Sequence, residues 1–352
     1  MHRLLPTLAA TSLALLSLGA SAARADEYRV TGPFTHENLS IYLVHGKSAG
    51  GRVPLTLDEA LAKRAVRVHE TGDVNQLAVE NLSDEDVFIQ SGDIVKGGQQ
   101  DRALTVSLIL PPKSGRVPLA AFCVEQGRWS ARGKEDVRTF TTASSVLPSR
   151  EAKIAMKAPT ETADAATPQP ASPLAREADS TQTRQYKMWR NVQAIQDRLS
   201  ARVGAPVAAP MSRTSLQLAL ENEKLRDLQA AYVKALEAAG TKDGDVVGYV
   251  FAINGKLNSG DVYPSNGLFR KMWSKLLRAS VTEAIGEKDA AAAEPTPSTE
   301  AVTAFLEAGT KGKSTEKALP ADIQLETRTG DKALYFETRR NGTWVHRNYL
   351  AM

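Results

Sequence analysis

Residues 91–129, SGDIVKGGQQDRALTVSLILPPKSGRVPLAAFCVEQGRW, decide the reading of this chain. Leu104, Val106, Leu108 and Leu110 alternate with Thr105 and Ser107, the run ends at Pro111-Pro112, and a second run from Val117 to Val124 follows the KSG turn. Period-2 alternation bounded by turn residues is the signature of strands. Working outward, Val66 and Val68, Leu77 and Val79, and Val87 and Ile89 form further short runs separated by TGD and NLSDED. Thr56-Leu57-Asp58-Glu59 is a capping-box sequence that opens a short helix to about Lys63. The N-terminal half therefore reads as a mainly antiparallel sheet or sandwich.

The C-terminal half has a different period. Arg184 to Arg202 and Leu216 to Ala239 carry helical spacing, the second stopping at Gly240 as a C-cap. Val246 to Ile253 and Lys256 to Tyr263 flank the hairpin turn Asn254-Gly255. Leu268 to Ile285 is amphipathic, with Leu268, Phe269, Met272, Trp273, Leu276 and Leu277 on one half and Arg270, Lys271, Lys275 and Arg278 on the other. Ile323 to Arg328, Ala333 to Arg339 and Thr343 to Leu350 read as a closing meander. The expected class is α+β, with packed helices and β-hairpins in this second half.

Export is read from the first 25 residues: Arg3, an apolar run from Leu4 to Ala20, then Ala23-Arg24-Ala25 before a cleavage at Asp26. The run is short for a bilayer span and holds Pro6. The expectation is a periplasmic or secreted protein with no transmembrane segment after cleavage. Residues 26–352 read as a single α+β domain, interrupted by a Pro/Ala/Thr-rich disordered insertion at 158–183 and a loop at 290–300. The whole chain has 44 Lys plus Arg against 40 Asp plus Glu, and loss of Arg3 and Arg24 leaves a balance of +2, too small to argue for nucleic acid. One cysteine, Cys123, excludes an internal disulfide framework.

Familiar catalytic signatures are absent: C-x-x-C, H-E-x-x-H, G-x-S-x-G and a strand-linked G-x-G-x-x-G do not occur. Two GKS triplets, at Gly46 and Gly312, lack the leading glycine of a phosphate loop. The four histidines after the leader have no ligand spacing, so no metal site is expected, and no cofactor is implied.

The polar residues at the two ends of the quoted stretch are the candidate site. Gly97 and Gly98 can bring backbone amides to a small anionic molecule with Arg102 as counter-charge, or can simply form a bulge beside a surface Asp101–Arg102 pair. Strand parity puts Val117, Leu119, Ala121, Cys123 and Glu125 on one face, and so a carboxylate at the rim of a buried surface. Glu125, or Asp101, would then serve as general base, unless Arg128 or Arg102 pairs with it. Trp129 can stack on a ligand or cap the core, and Gln100 can hydrogen-bond a ligand. Cys123 is read as an inert buried thiol, since a nucleophile would need His69 or His346 beside it.

With GDIVKGGQQDR at 92–102, CVEQGRW at 123–129, VGYVFAINGKL at 247–257 and LFRKMWSKLL at 268–277, the chain resembles the ARG and rhodanese-phosphatase-superfamily-associated protein domain, an uncharacterised prokaryotic family. The resemblance implies one domain carrying a long insertion, and a role around NAD-derived or ADP-ribose-like metabolites. Three functions stay open: a binding domain for an anionic or nucleotide-like ligand, a hydrolase using Glu125 or Asp101, and an envelope interaction or structural role.

Overall fold

The computed structural model describes residues 28–157, 173–289 and 294–352. The expected leader lies outside the described residues, as do 158–172 of the expected insertion and 290–293 of the expected loop. The class is α+β, as the sequence implies.

The chain opens with the paired strands β1 (Arg29–His36) and β2 (Leu39–His45). The short β3 (Leu55–Thr56) runs into α1 (Leu57–Ala62), whose capping box is complete: Thr56 Oγ1 accepts from the Glu59 amide and Glu59 Oε2 from the Thr56 amide. Then come β4 (Val66–Glu70), β5 (Gln76–Asn81), β6 (Val87–Ile89), β7 (Asp93–Gly97), β8 (Arg102–Leu104), β9 (Leu108–Leu110), β10 (Gly115–Cys123), β11 (Phe140–Val146) and α2 (Arg150–Lys157). After 172 follow α3 (Pro173–Val203), α4 (Leu216–Leu220), α5 (Glu223–Leu236), α6 (Ala239–Lys242), the hairpin β12 (Val246–Ile253) and β13 (Lys256–Val262), and α7 (Asn266–Glu287). The chain ends with α8 (Thr299–Lys311), β14 (Lys313–Leu319), β15 (Ile323–Thr329), β16 (Ala333–Arg340) and β17 (Thr343–Ala351).

Three sheets result. One has eight antiparallel strands in the order β1-β2-β12-β13-β17-β16-β15-β14, so strands from both sides of the insertion share it. A second has the order β11-β7-β8-β10-β5-β4, and a third, β3-β6-β9, includes a parallel β3–β6 pair. Helices α3, α5 and α7 pack a large apolar core against one face of the eight-stranded sheet, with Phe251, Tyr249, Trp273 and Leu276 at its centre. The smaller sheets enclose a second core around Val79, Ile89, Leu104 and Leu119.

Four expectations need correction. The run Leu104 to Leu110 is two strands in different sheets, because Ser91 ties down the bend between them: its amide donates to Ser107 Oγ and its hydroxyl to Thr105 O. The helix expected over Leu216 to Ala239 breaks at Asn222, whose side chain accepts from the Leu225 amide and starts α5. Gly240 is no C-cap; it lies in α6, where a Cβ would stand 2.3 Å from the Trp273 ring. Helix is also found where an insertion and a loop were expected, since α3 begins at Pro173 and α8 at Thr299, behind its N-cap Ser298. Among the described residues no helix is long and apolar enough to cross a membrane.

Candidate functional site

Strand pairing brings the two polar ends of residues 91–129 together. β8 and β10 run antiparallel with Cys123 opposite Arg102, so the residues just outside that pair, Asp101 and Val124 to Glu125, face each other. The Val124 amide donates to Asp101 O at 3.1 Å, and the Asp101 amide donates to Glu125 Oε2 at 3.1 Å.

Around that contact two carboxylates share two guanidiniums. Asp101 Oδ2 accepts from Arg132 Nη1 at 3.0 Å and from Ser215 Oγ at 2.9 Å, while Oδ1 accepts from the Gly97 amide at 2.9 Å. Glu125 Oε2 lies 2.8 Å from Arg128 Nη2, and Oε1 accepts from the Ser212 hydroxyl with Arg132 Nη1 3.6 Å away. Both acids are fully buried, so the expected rim position of Glu125 is corrected: at the end of β10 both parities are covered. Burial alone would lift the Glu125 carboxyl, but the bonds from Arg128 and Ser212 outweigh it and hold its pKa below the ordinary value. Burial and the charge of Glu125 push Asp101 upward against the pull of Arg132. A general base needs reach to its proton. Neither carboxylate presents an exposed oxygen to water.

Gly97 and Gly98 are built into this knot. Both have positive φ, at +120° and +56°, and a Cβ on Gly98 would stand 2.2 Å from the Phe140 ring. Their amides are taken by Asp101 and by Thr139 O, and their carbonyls accept from Arg128 at 3.2 and 3.0 Å. Gln100 is likewise occupied, its Oε1 accepting from Cys123 Sγ at 3.0 Å. Burial pushes the Cys123 thiol up to about 11 despite the nearby Arg102, which fits the inert reading. His69 pairs with Glu80 and His346 with Ser107, so neither is a base for Cys123.

Arg102 is different. It is fully buried, and its Nε donates to Val74 O at 3.0 Å, yet among the described residues neither terminal nitrogen has a hydrogen-bond acceptor. Glu70 Oε2, 3.9 Å from Nη2, is itself a buried oxygen without a donor, and so is Gln99 Oε1. The Trp129 indole lies over the guanidinium, 5.4 Å from ring centre to Cζ, and is 43% exposed. A buried cation without acceptors costs several kcal/mol, roughly, unless something pairs with it. This corner therefore gathers buried polar atoms of Arg102, Glu70 and Gln99 that have no hydrogen-bond partner among the described residues, beside the half-exposed ring face of Trp129.

The candidates thus divide into a mutually bonded group (Gly97, Gly98, Gln100, Asp101, Glu125, Arg128) and a stacked pair, the buried Arg102 beneath the half-exposed Trp129. Sequence reasoning missed Arg132, Ser212 and Ser215 in the first group, and Glu70 and Gln99 in the second. Only Gln99 carried a local signal, as the neighbour of Gln100. Among the described residues one carboxylate group, Glu151, Glu283 and Glu287, is close enough together for a metal ion. Glu283 already accepts from the Ser149 and Arg150 amides.

The family profile described as ARG and Rhodanese-Phosphatase-superfamily-associated Protein domain matches residues 27–350. No curated protein and no solved structure matches the chain.

Proposed function

The chain belongs to the ARG and Rhodanese-Phosphatase-superfamily-associated Protein domain family, and on that premise we propose that it is an exported binding domain for a small anionic, nucleotide-like ligand of the NAD or ADP-ribose type. Arg102 holds the anion, Trp129 stacks on a base or ribose, and Glu70 and Gln99 accept its hydroxyl or amino hydrogens. The carrying observation is the buried guanidinium of Arg102, with no acceptor for Nη1 or Nη2 among the described residues, beneath a half-exposed indole. Glu125 and Asp101 act as the scaffold that fixes the two segments, so the hydrolase alternative has weaker geometric support.

A structural or interaction role is favoured by a separate observation: Asp101, Glu125, Arg128 and Arg132 form ion pairs with one another inside the protein. Differential scanning fluorimetry with ADP-ribose, AMP and inorganic phosphate separates the two. The binding reading expects a rise in Tm with ADP-ribose, about 2.7 kcal/mol of stabilisation at a hundredfold excess over Kd. It expects that rise to fall sharply in W129A and to vanish in R102M/E70Q. No rise with any of the three compounds overturns it in favour of the structural role.

A further inference from the structure

A second cluster, remote in sequence from Arg102, lies where α2 meets the eight-stranded sheet. Lys153 and Lys157 stand one helical turn apart on α2, on the same side. Lys157 Nζ donates to Asn348 Oδ1 at 2.7 Å and sits 4.8 Å from the centre of the Phe336 ring. Lys153 is buried, its ammonium 5.9 Å from the centre of the Phe251 ring, and among the described residues it has no hydrogen-bond acceptor and no ion pair. The charges of both lysines act on the carboxylate of Asp261 of β13. That carboxylate is already engaged by His346 Nε2 at 3.1 Å and Asn348 Nδ2 at 2.8 Å, and His346 is bonded in turn to Ser107. On the same strand as Asp261 the Ser259 hydroxyl is buried without a hydrogen-bond partner among the described residues.

Two ammonium groups in a low-dielectric site with one shared, occupied carboxylate cannot both keep their protons at little cost. Lys157 yields: burial pulls its pKa down to about 7, with Lys153 pushing the same way and Asp261 opposing. A desolvated amine beside a second cation is an activated nucleophile.

We propose that this pair is a site for a small carbonyl compound bearing a carboxylate, a 2-oxo acid in the simplest case, which Lys157 captures as a Schiff base while Lys153 holds the carboxylate. The Nζ lone pair adds to the carbonyl carbon and the C=O π pair moves to oxygen, which takes a proton as nitrogen releases one. The carbinolamine hydroxyl then leaves as water, taking up the second proton that nitrogen gives up as its lone pair closes the C=N bond. Amine and carbonyl give imine and water, with no oxidant or reductant. Asn348 Oδ1 orients the amine by accepting one of its hydrogens.

Reductive trapping tests this on the full chain. Glyoxylate with sodium cyanoborohydride at pH 7, followed by peptide mass mapping, is expected to label Lys157 at least ~10-fold faster than the exposed Lys134 and Lys224. K153Q is expected to slow labelling of Lys157 by glyoxylate several-fold more than labelling by acetaldehyde. Labelling of Lys157 in the wild type at the rate of the exposed lysines overturns the site, whatever the fold of the variant. An equal effect of K153Q on both aldehydes overturns the carboxylate-holding role.

Discussion

Arg132 donates to Asp101 across 3.0 Å with both side chains buried, although 31 positions separate them in the chain. The same guanidinium reaches Glu125 at 3.6 Å and Glu135 at 3.1 Å, so it is the hub that makes two neighbouring buried acids tolerable. Removing one partner of a buried pair leaves an uncompensated charge, typically a loss of about 3–5 kcal/mol. R132M is expected to lose that much in urea unfolding, and R132K less. A loss below about 1 kcal/mol in R132M would contradict the network as drawn.

Arg102 gives the opposite sign. Among the described residues its terminal nitrogens and Glu70 Oε2 are buried without hydrogen-bond partners, so replacing both by neutral groups relieves a cost rather than creating one. R102M/E70Q is expected to match or exceed the wild type in urea midpoint without ligand, while losing the ligand-induced rise in Tm. A destabilisation of more than about 2 kcal/mol would show the pair to be a stabilising ion pair instead.

Glu287 governs a pH effect. Burial first, then repulsion by Glu283 and Glu151, raises its carboxyl from 4.5 to about 7. A raised acid binds its proton more tightly in the folded chain than in the unfolded one, so stability is unaffected below 4.5 and is lost as pH climbs towards 7. E287Q removes that dependence. It is expected to equal the wild type at pH 4 and exceed it at pH 8 by roughly 1–2 kcal/mol, a figure discounted because the group is partly exposed. Parallel stability–pH curves for the two proteins would rule the shift out.

Gly98 tests the turn beneath the scaffold. A methyl group there meets the Phe140 ring at 2.2 Å and Glu70 Oε1 at 2.5 Å, on a backbone already at φ +56°. G98A is expected to cost about 2–4 kcal/mol through overpacking and backbone strain together. Thermal unfolding of the purified variant checks it.

Local signals carried much of this fold. The Thr56–Glu59 capping box, the Asn254-Gly255 hairpin and the alternation from Val117 to Ala121 were legible because each rests on residues a few positions apart. The meeting of Asp101 with Glu125 was not legible, since it depends on β8 pairing with β10 across β9, which lies in another sheet. Nor was Lys275. Helical period alone puts it on the solvated half of α7, but it is buried with Asp58 and Asp93 each 2.8 Å away, on segments about 200 positions distant. Arg132, Ser212 and Ser215 escaped for the same reason: their roles come from tertiary partners, and nothing in their own neighbourhoods marks them.

The most direct measurement of the binding claim is a crystal structure of the chain soaked with ADP-ribose. The account predicts a phosphate oxygen within hydrogen-bond distance of Arg102 Nη1 or Nη2 and a ribose or base against the Trp129 indole. An Arg102 closed onto Glu70, with ADP-ribose bound elsewhere or not at all, would contradict it.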